Sequence, residues 1–229
     1  MFDVQYVIDF LPKLISYLPV TLEIFVLSVL FGLVGGVLVA IPRLYNIPVL
    51  KQIATVYISF IRGTPILIQL FLVFYGLPYL VGLVGINITR LDAFYFVIFT
   101  YTLSNAAAFA EIFRAAIQSL DYGQTEAAQS IGMSGWQTFR RIILPQSIRI
   151  ALPNIASTSV SSLKDTSLAF SIGVMDMMGR GDTLITATMK ALEVYVGLAI
   201  IYYVVVLLLE YGFKWLEKYS NRHVKVQAL

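Results

Sequence analysis

The chain contains no cysteine, so neither a disulfide framework nor a thiolate metal site is available to it. It has a single histidine, His223, which excludes a histidine-based metal cluster. No Gly-x4-Gly-Lys-Ser/Thr segment occurs anywhere in the sequence, so the chain shows no loop for cradling nucleotide phosphates. Charged residues make up 13% of its 229 positions, about half the share usual in soluble domains. The opening stretch MFDVQYVIDFLPKL carries Asp3 and Asp9 and lacks a basic leader region. That argues for a retained first span over a cleaved signal peptide. Catalytic residues and metal ligands are therefore expected to be none.

What is present is apolar bulk. Hydrophobic residues reach 59%, against roughly 45–50% in ordinary soluble domains. One core cannot hide that much apolar surface from water. The expectation is an all-α membrane protein with about five transmembrane helices, forming a single domain over 1–229. Windows of bilayer length run from about Leu14 to Ile41, Ile53 to Leu80, Ala93 to Phe113, Ile150 to Ser171 and Val194 to Phe213. The fourth is the weakest, because it holds Lys164 and Asp165. Tyr195 and Trp215 bracket the fifth and lie 20 residues apart, about 30 Å in a helix, which suits an interfacial aromatic belt. With five spans, ten of the sixteen Lys and Arg residues fall on one side, Lys225 among them, and four on the other. The positive-inside rule then places the N-terminus outside and the C-terminus in the cytoplasm. The outer stretch from Gly173 to Glu193 is predicted to open as a turn and to carry a short helix. The two halves show no inverted repeat, which weighs against a self-contained secondary transporter.

On this reading the segment 121–145 is a cytoplasmic loop, and its signals define two short helices. Asp121 with Gln124 looks like a first N-cap pair, and Ser134 with Gln137 is a second capping box. Gly132 fits a helix C-terminal cap. Pro145 is expected to break or kink the helix at Leu144. The scarcity of basic residues argues against a DNA-reading helix-turn-helix, since Arg140–Arg141 is the only adjacent pair here. An amphipathic loop without a partner is the plainer alternative.

The spacing Glu126-Ala127-Ala128, three residues, Gly132, nine residues, then Ile142-x-Leu144-Pro145 resembles the EAA loop of ABC importer permeases at every defined position. The likeness extends to RGTPILIQLFLVFYGLP from Arg62, AEIFRAAIQSLDYGQTEAA from Ala110 and SLKDTSLAFSIGV from Ser162, which look like the polar amino acid class of that family, with a lean toward cystine or basic amino acids. The resemblance implies a type I importer permease fold in the bacterial cytoplasmic membrane. It also implies partners: two ATPase subunits carrying ATP and Mg, a second permease copy or a sister permease, and an extracytoplasmic solute-binding protein. The substrate would be a polar amino acid such as cystine, arginine, histidine or glutamine. The chain itself would be no enzyme and would need no cofactor, and nucleic acid is not among its expected ligands. The loop would be the coupling element, through Glu126, Ala127, Ala128, Gly132, Ile142, Leu144 and Pro145. An ion-coupled transporter acting without an ATPase is the alternative.

Ionisable groups inside membrane spans cost about 2.5–3.5 kcal/mol on insertion scales, so each marks a candidate site. Ser157, Ser161 and Lys164 share one helical face, and Thr158, Ser161, Ser162 and Asp165 the adjoining one. Such a polar sector lines either a pathway or a subunit contact. Lys164 and Asp165 have the alternative of being paired structural charges. Glu111 and Arg114 are spaced for a local pair, beside a possible substrate role for Glu111. Arg62-Gly63-Thr64-Pro65 should break the second span and free backbone groups to line a cavity. Thr64, Gln69, Asn105, Ser161, Ser162 and Lys164 are the candidate donors and acceptors for an amino acid. Gly32 and Gly36 form a small-xxx-small face suited to helix packing.

Overall fold

The computed structural model describes residues 2–222. His223 and Lys225 lie outside the described residues. The chain is helical almost throughout, and no strand occurs among the described residues. It opens with a short helix, α1 (Val4–Ile15), capped by Asp3, whose carboxylate accepts the Gln5 N–H at 2.9 Å. At about 18 Å α1 is too short to cross a bilayer. It lays Phe10 and Leu14 against Met177, Val194 and Leu198. The first span therefore begins at Leu18, not near Leu14, and Leu14 belongs to this separate helix.

Helix α2 (Leu18–Leu44) is the first long span. Helix α3 (Leu50–Gly63) meets α4 (Ile66–Gly82) at a bend of 113°. Helix α5 (Ala93–Gln118) is the central span. The short α6 (Gly123–Ser130) and α7 (Gly135–Thr138) form the loop, followed by α8 (Leu144–Asp165), α9 (Met177–Thr188) and α10 (Ala191–Ser220). Helices α2, α5 and α10 are long and apolar enough to cross a membrane, and the bent α3–α4 pair qualifies as a fourth span. Helix α8, at 22 residues, is about 33 Å long, but its Ser, Thr, Lys and Asp residues leave it too polar to pass on composition.

The core is built on a close contact between α2 and α5. A Cβ placed on Gly32 would lie 2.5 Å from Asn105 Cβ, and one on Gly36 would lie 2.7 Å from Phe109 Cβ. Both are far inside van der Waals distance, so only glycine lets these backbones approach so closely. The packing face read from the sequence is thus the α2–α5 seam.

The break between α3 and α4 follows from Pro65. Its ring disfavours the helical region for the preceding residue, and Thr64 is extended at φ −120° and ψ 143°. Backbone carbonyls freed at the break need donors. The Gln69 side chain supplies them, its Nε2 donating to Ile61 O at 2.7 Å and Thr64 O at 2.9 Å.

The stretch after α8 tightens into a 3₁₀ turn, Thr166–Ile172, and stops at Gly173, which has φ +90°. Helix α9 then starts on Asp176, whose Oδ1 accepts the Gly179 N–H at 2.9 Å. Thr21 Oγ1 of α2 accepts the Met177 N–H at 3.1 Å and so ties α9 to the first span. Turn and short helix match the sequence expectation for 173–193. Asp176 is fully buried, and its Oδ2 has no partner. Burial pushes this carboxyl above the usual carboxylate range, against the lowering effect of the backbone bonds it accepts.

Candidate coupling loop and polar pathway

The loop between α5 and α8 is a stiff, capped elbow. Helix α6 ends in a paired turn: Gly132 N–H donates to Gln129 O at 2.9 Å and Met133 N–H to Ala128 O at 3.1 Å. Gly132 has φ +83°, the left-handed conformation this C-terminal motif requires and that glycine adopts without strain. Ser134 and Gln137 form the reciprocal capping box: Ser134 N–H donates to Gln137 Oε1 at 2.9 Å, and Ser134 Oγ accepts from Gln137 N–H at 3.3 Å.

Two local expectations need correction. Asp121 and Gln124 do not form a capping pair. Asp121 Oδ1 accepts the N–H of Gly123 at 2.9 Å, because the chain makes a tight Asp turn one residue earlier. The Gln124 side chain instead accepts from Gln146 Nε2 at 2.7 Å, clasping the loop to α8. Of the two outcomes expected at Pro145, the break does not occur. The chain widens into a π-turn over Phe139–Ile143, in which Leu144 N–H reaches back to Phe139 O. Proline lacks an N–H and its ring clashes with the carbonyl four residues back. One wide turn accommodates both, and the helix runs on.

The loop leaves apolar side chains uncovered on this stiff frame. Ile131 is 80% exposed, Tyr122 69% and Trp136 67%. Glu126 and Ala127 are exposed in α6, while Ala128 is buried. Ile142 and Leu144 are half-buried and Pro145 is exposed.

The polar residues of the spans divide into two groups. Asn105 and Ser162 are both buried and joined, Asn105 Nδ2 donating to Ser162 Oγ at 2.9 Å across α5 and α8. Gln69 is buried at the α3–α4 break, with Thr64 beside it. The Thr64 hydroxyl donates to Phe60 O at 2.9 Å. Ser157, Ser161 and Lys164 by contrast form an exposed stripe along α8. Lys164 and Asp165 have no ion-pair partner among the described residues. The main-chain oxygen of Asp165 accepts the Tyr101 hydroxyl at 2.8 Å. Glu111 does meet Arg114, as its spacing allows, and it also meets Arg43 of α2 at 2.5 Å. This second arginine lies 68 residues away in sequence, and no local pattern announces it. The Gln69 clasp and the Thr21 tie to α9 were equally silent in the sequence. A glutamine one turn beyond Thr-Pro and a threonine in an apolar run are their only traces.

The fold recurs in known proteins. Residues 32–225 match the family described as binding-protein-dependent transport system inner membrane component. The chain belongs to this family. The permease is 60% identical to the L-cystine transport system permease protein TcyL of Bacillus subtilis (strain 168) over 217 residues, covering 95% of this chain and 91% of that one. It also superposes on the crystal structure of an amino acid ABC transporter with histidines, at a TM-score of 0.84 and 33% identity, over 95% of this chain and 99% of that one. An inward-facing structure of the MetNI methionine ABC transporter shares the permease's fold at a TM-score of 0.73 and 19% identity, over 90% and 95% of the two chains.

Proposed function

We propose that the permease is the membrane subunit of an ATP-driven importer of L-cystine, working by alternating access. The observation that carries the coupling role is the loop: a doubly capped elbow on which Tyr122, Ile131 and Trp136 are largely exposed. Exposed apolar side chains on a rigid frame favour a protein partner. A partner is also needed on chemical grounds, because the sequence has no phosphate loop. ATP and Mg therefore belong to a pair of ATPase subunits, docked at Glu126, Ala127, Gly132 and their neighbours. The identity to the L-cystine permease supports cystine as substrate within the polar amino acids. A second permease copy or a sister permease completes the pathway, and an extracytoplasmic binding protein delivers the substrate. The charge bias favours the cytoplasmic membrane with the N-terminus outside and the C-terminus inside.

In this mechanism ATPase closure pushes on the loop as a rigid body. The push enters α8, whose stripe of Ser157, Ser161 and Lys164 offers hydroxyl donors and acceptors and one ammonium to a zwitterion. Uptake of labelled L-cystine into proteoliposomes holding the permease, its ATPase and its binding protein tests this. Uptake should require ATP, and unlabelled cystine should compete best among a panel of amino acids. Uptake that persists without the ATPase and follows an ion gradient refutes the ATP-driven part. Competition led by another amino acid refutes the substrate.

A further inference from the structure

The end of the bundle that carries the loop also holds an apolar groove with two cations beside it, Arg149 and Arg222, the latter stacked on the Tyr219 ring at 4.2 Å. The groove encloses about 560 Å³, and its walls include Ile41, Leu44, Phe113, Phe139, Ile148 and Ala151. Its one non-aromatic polar residue, Ser147, already donates its hydroxyl to Ile143 O at 2.9 Å. On the other side of Ile148 lies a second recess of about 500 Å³, between the ends of α8 and α10, lined by Arg149 and Arg222 with Leu152, Leu216 and Tyr219. Ile148 lines both recesses and is exposed. Among the described residues neither recess is lined by a carboxylate. Neither Arg149 nor Arg222 has an ion-pair partner among the described residues.

We propose that the two recesses form one binding site for an anionic phospholipid, with the phosphate on Arg149 and Arg222 and an acyl chain laid over Ile148 into the groove. The chemistry divides as such a molecule does. Guanidinium groups without a carboxylate partner at the ends of membrane helices attract phosphate and can bind it bidentately, and stacking on Tyr219 leaves the Arg222 N–H groups at the guanidinium edge free to do so. The groove beyond them is walled mainly by aliphatic and aromatic carbon, with no charged residue in its lining among the described residues, so it suits a hydrocarbon chain. The depth also fits. Ile155, at the inner end of the groove, lies six residues further along α8 than Arg149, about 9 Å deeper in the membrane. A second copy of the chain suits the patch less well, since an isologous contact through it sets these arginines against their own copies.

Native mass spectrometry of the full chain in neutral detergent tests the site. The probes are phosphatidylglycerol and phosphatidylcholine with identical tails. The wild type should retain phosphatidylglycerol in clear preference. The Arg149→Gln/Arg222→Gln pair should lower that retention by about thirtyfold, the effect of two basic contacts at a membrane surface, and Arg149→Lys/Arg222→Lys should largely keep it. Ile148→Glu, which sets a competing carboxylate at an exposed position, should lower it comparably. Lys214→Gln/Lys218→Gln removes equal charge from the same end of α10 and should leave it unchanged. Equal retention of the two lipids by the wild type overturns the proposal. So does an equal loss in the Lys214/Lys218 variant. A shift in the oligomer distribution of Ile148→Glu without lipid loss also overturns it and assigns the groove to a second copy.

Discussion

Gly32→Ala adds one methyl group at the tightest point of the fold, and the structure sets its effect. The new Cβ would sit 2.5 Å from Asn105 Cβ and 3.4 Å from the Ala106 nitrogen. Ordinary carbon contacts begin near 3.5 Å, so α2 and α5 must part by about 1 Å. Rotation of α2 offers no relief. Gly35 and Gly36 are equally close to Ala106 and Phe109, at 2.9 and 2.7 Å for their own added Cβ atoms. Overpacking of this kind costs about 1–3 kcal/mol. The same change also removes a helical glycine, which returns up to about 1 kcal/mol. Gly212→Ala isolates that second effect. Gly212 lies in the exposed interior of α10, and an added Cβ there meets nothing within 4 Å. The propensity gain is common to both variants and cancels in their difference, leaving the overpacking cost alone. For a chain of this size 1 kcal/mol corresponds to about 2–4 °C. Gly32→Ala should therefore melt several degrees below Gly212→Ala when both full chains are heated in one detergent. If it melts no lower, the α2–α5 seam is not the close contact described here.

Gln69→Leu keeps the bulk of a buried side chain but removes the donor to Ile61 O and Thr64 O, so about 2 kcal/mol or more of stability should be lost; a melt within 1 °C of wild type contradicts the clasp. Gly132→Ala places a side chain at φ +83° at a cost of about 1–2 kcal/mol, and because the loop is exposed the effect should be local. Hydrogen exchange should quicken over 123–130 while α2 and α5 keep their protection, and unchanged exchange refutes it. For Asp176, burial raises the carboxyl in the folded state, so the fold favours the protonated form. That stabilisation is complete below the unfolded value of about 3.9 and is lost as pH rises through the raised folded value. Asp176→Asn retains a carbonyl oxygen for the Gly179 N–H and removes the titration. Its melting temperature should exceed that of the wild type at neutral pH and lose the wild type's decline from pH 4 upward, and parallel profiles refute the assignment.

The sequence was most readable where the signal is local. Ser134 and Gln137 are three residues apart, and their reciprocal bonds follow from that spacing alone. Gly132 marks its own conformation. The Pro65 break is written in one ring, and the glycine face of α2 in its four-residue period. Legibility fell away where a partner comes from elsewhere in the chain. Arg43 and Glu111 belong to different spans, and nothing near either residue names the other. The in-span polar residues show the same limit. Asn105 and Ser161 look alike as candidates in sequence, yet Asn105 is buried against Ser162 and Ser161 lies on the exposed stripe. Periodicity assigns a residue to a face of its own helix. Which face meets another helix depends on packing between distant segments.

Pro145 is where this difference matters most for mechanism. A break there would make the loop and α8 two bodies joined by a hinge, and motion at the loop would dissipate in it. The structure joins them. From Gly135 to Asp165 the chain is helical without interruption, the π-turn over Phe139–Ile143 taking up the proline. These 31 positions form a rod of about 45 Å. One end presents Trp136. The other carries Ser161 and Lys164 on its open face and holds α5 through the Asn105–Ser162 and Tyr101–Asp165 bonds. Gln146 clasps Gln124, so α6 moves with the rod. A partner that displaces the loop then acts on the polar stripe through one continuous helical segment. The wide turn and Pro153, which has no N–H to donate inside α8, are the places where the hydrogen-bond pattern departs from α-helical, and a small rotation costs least there.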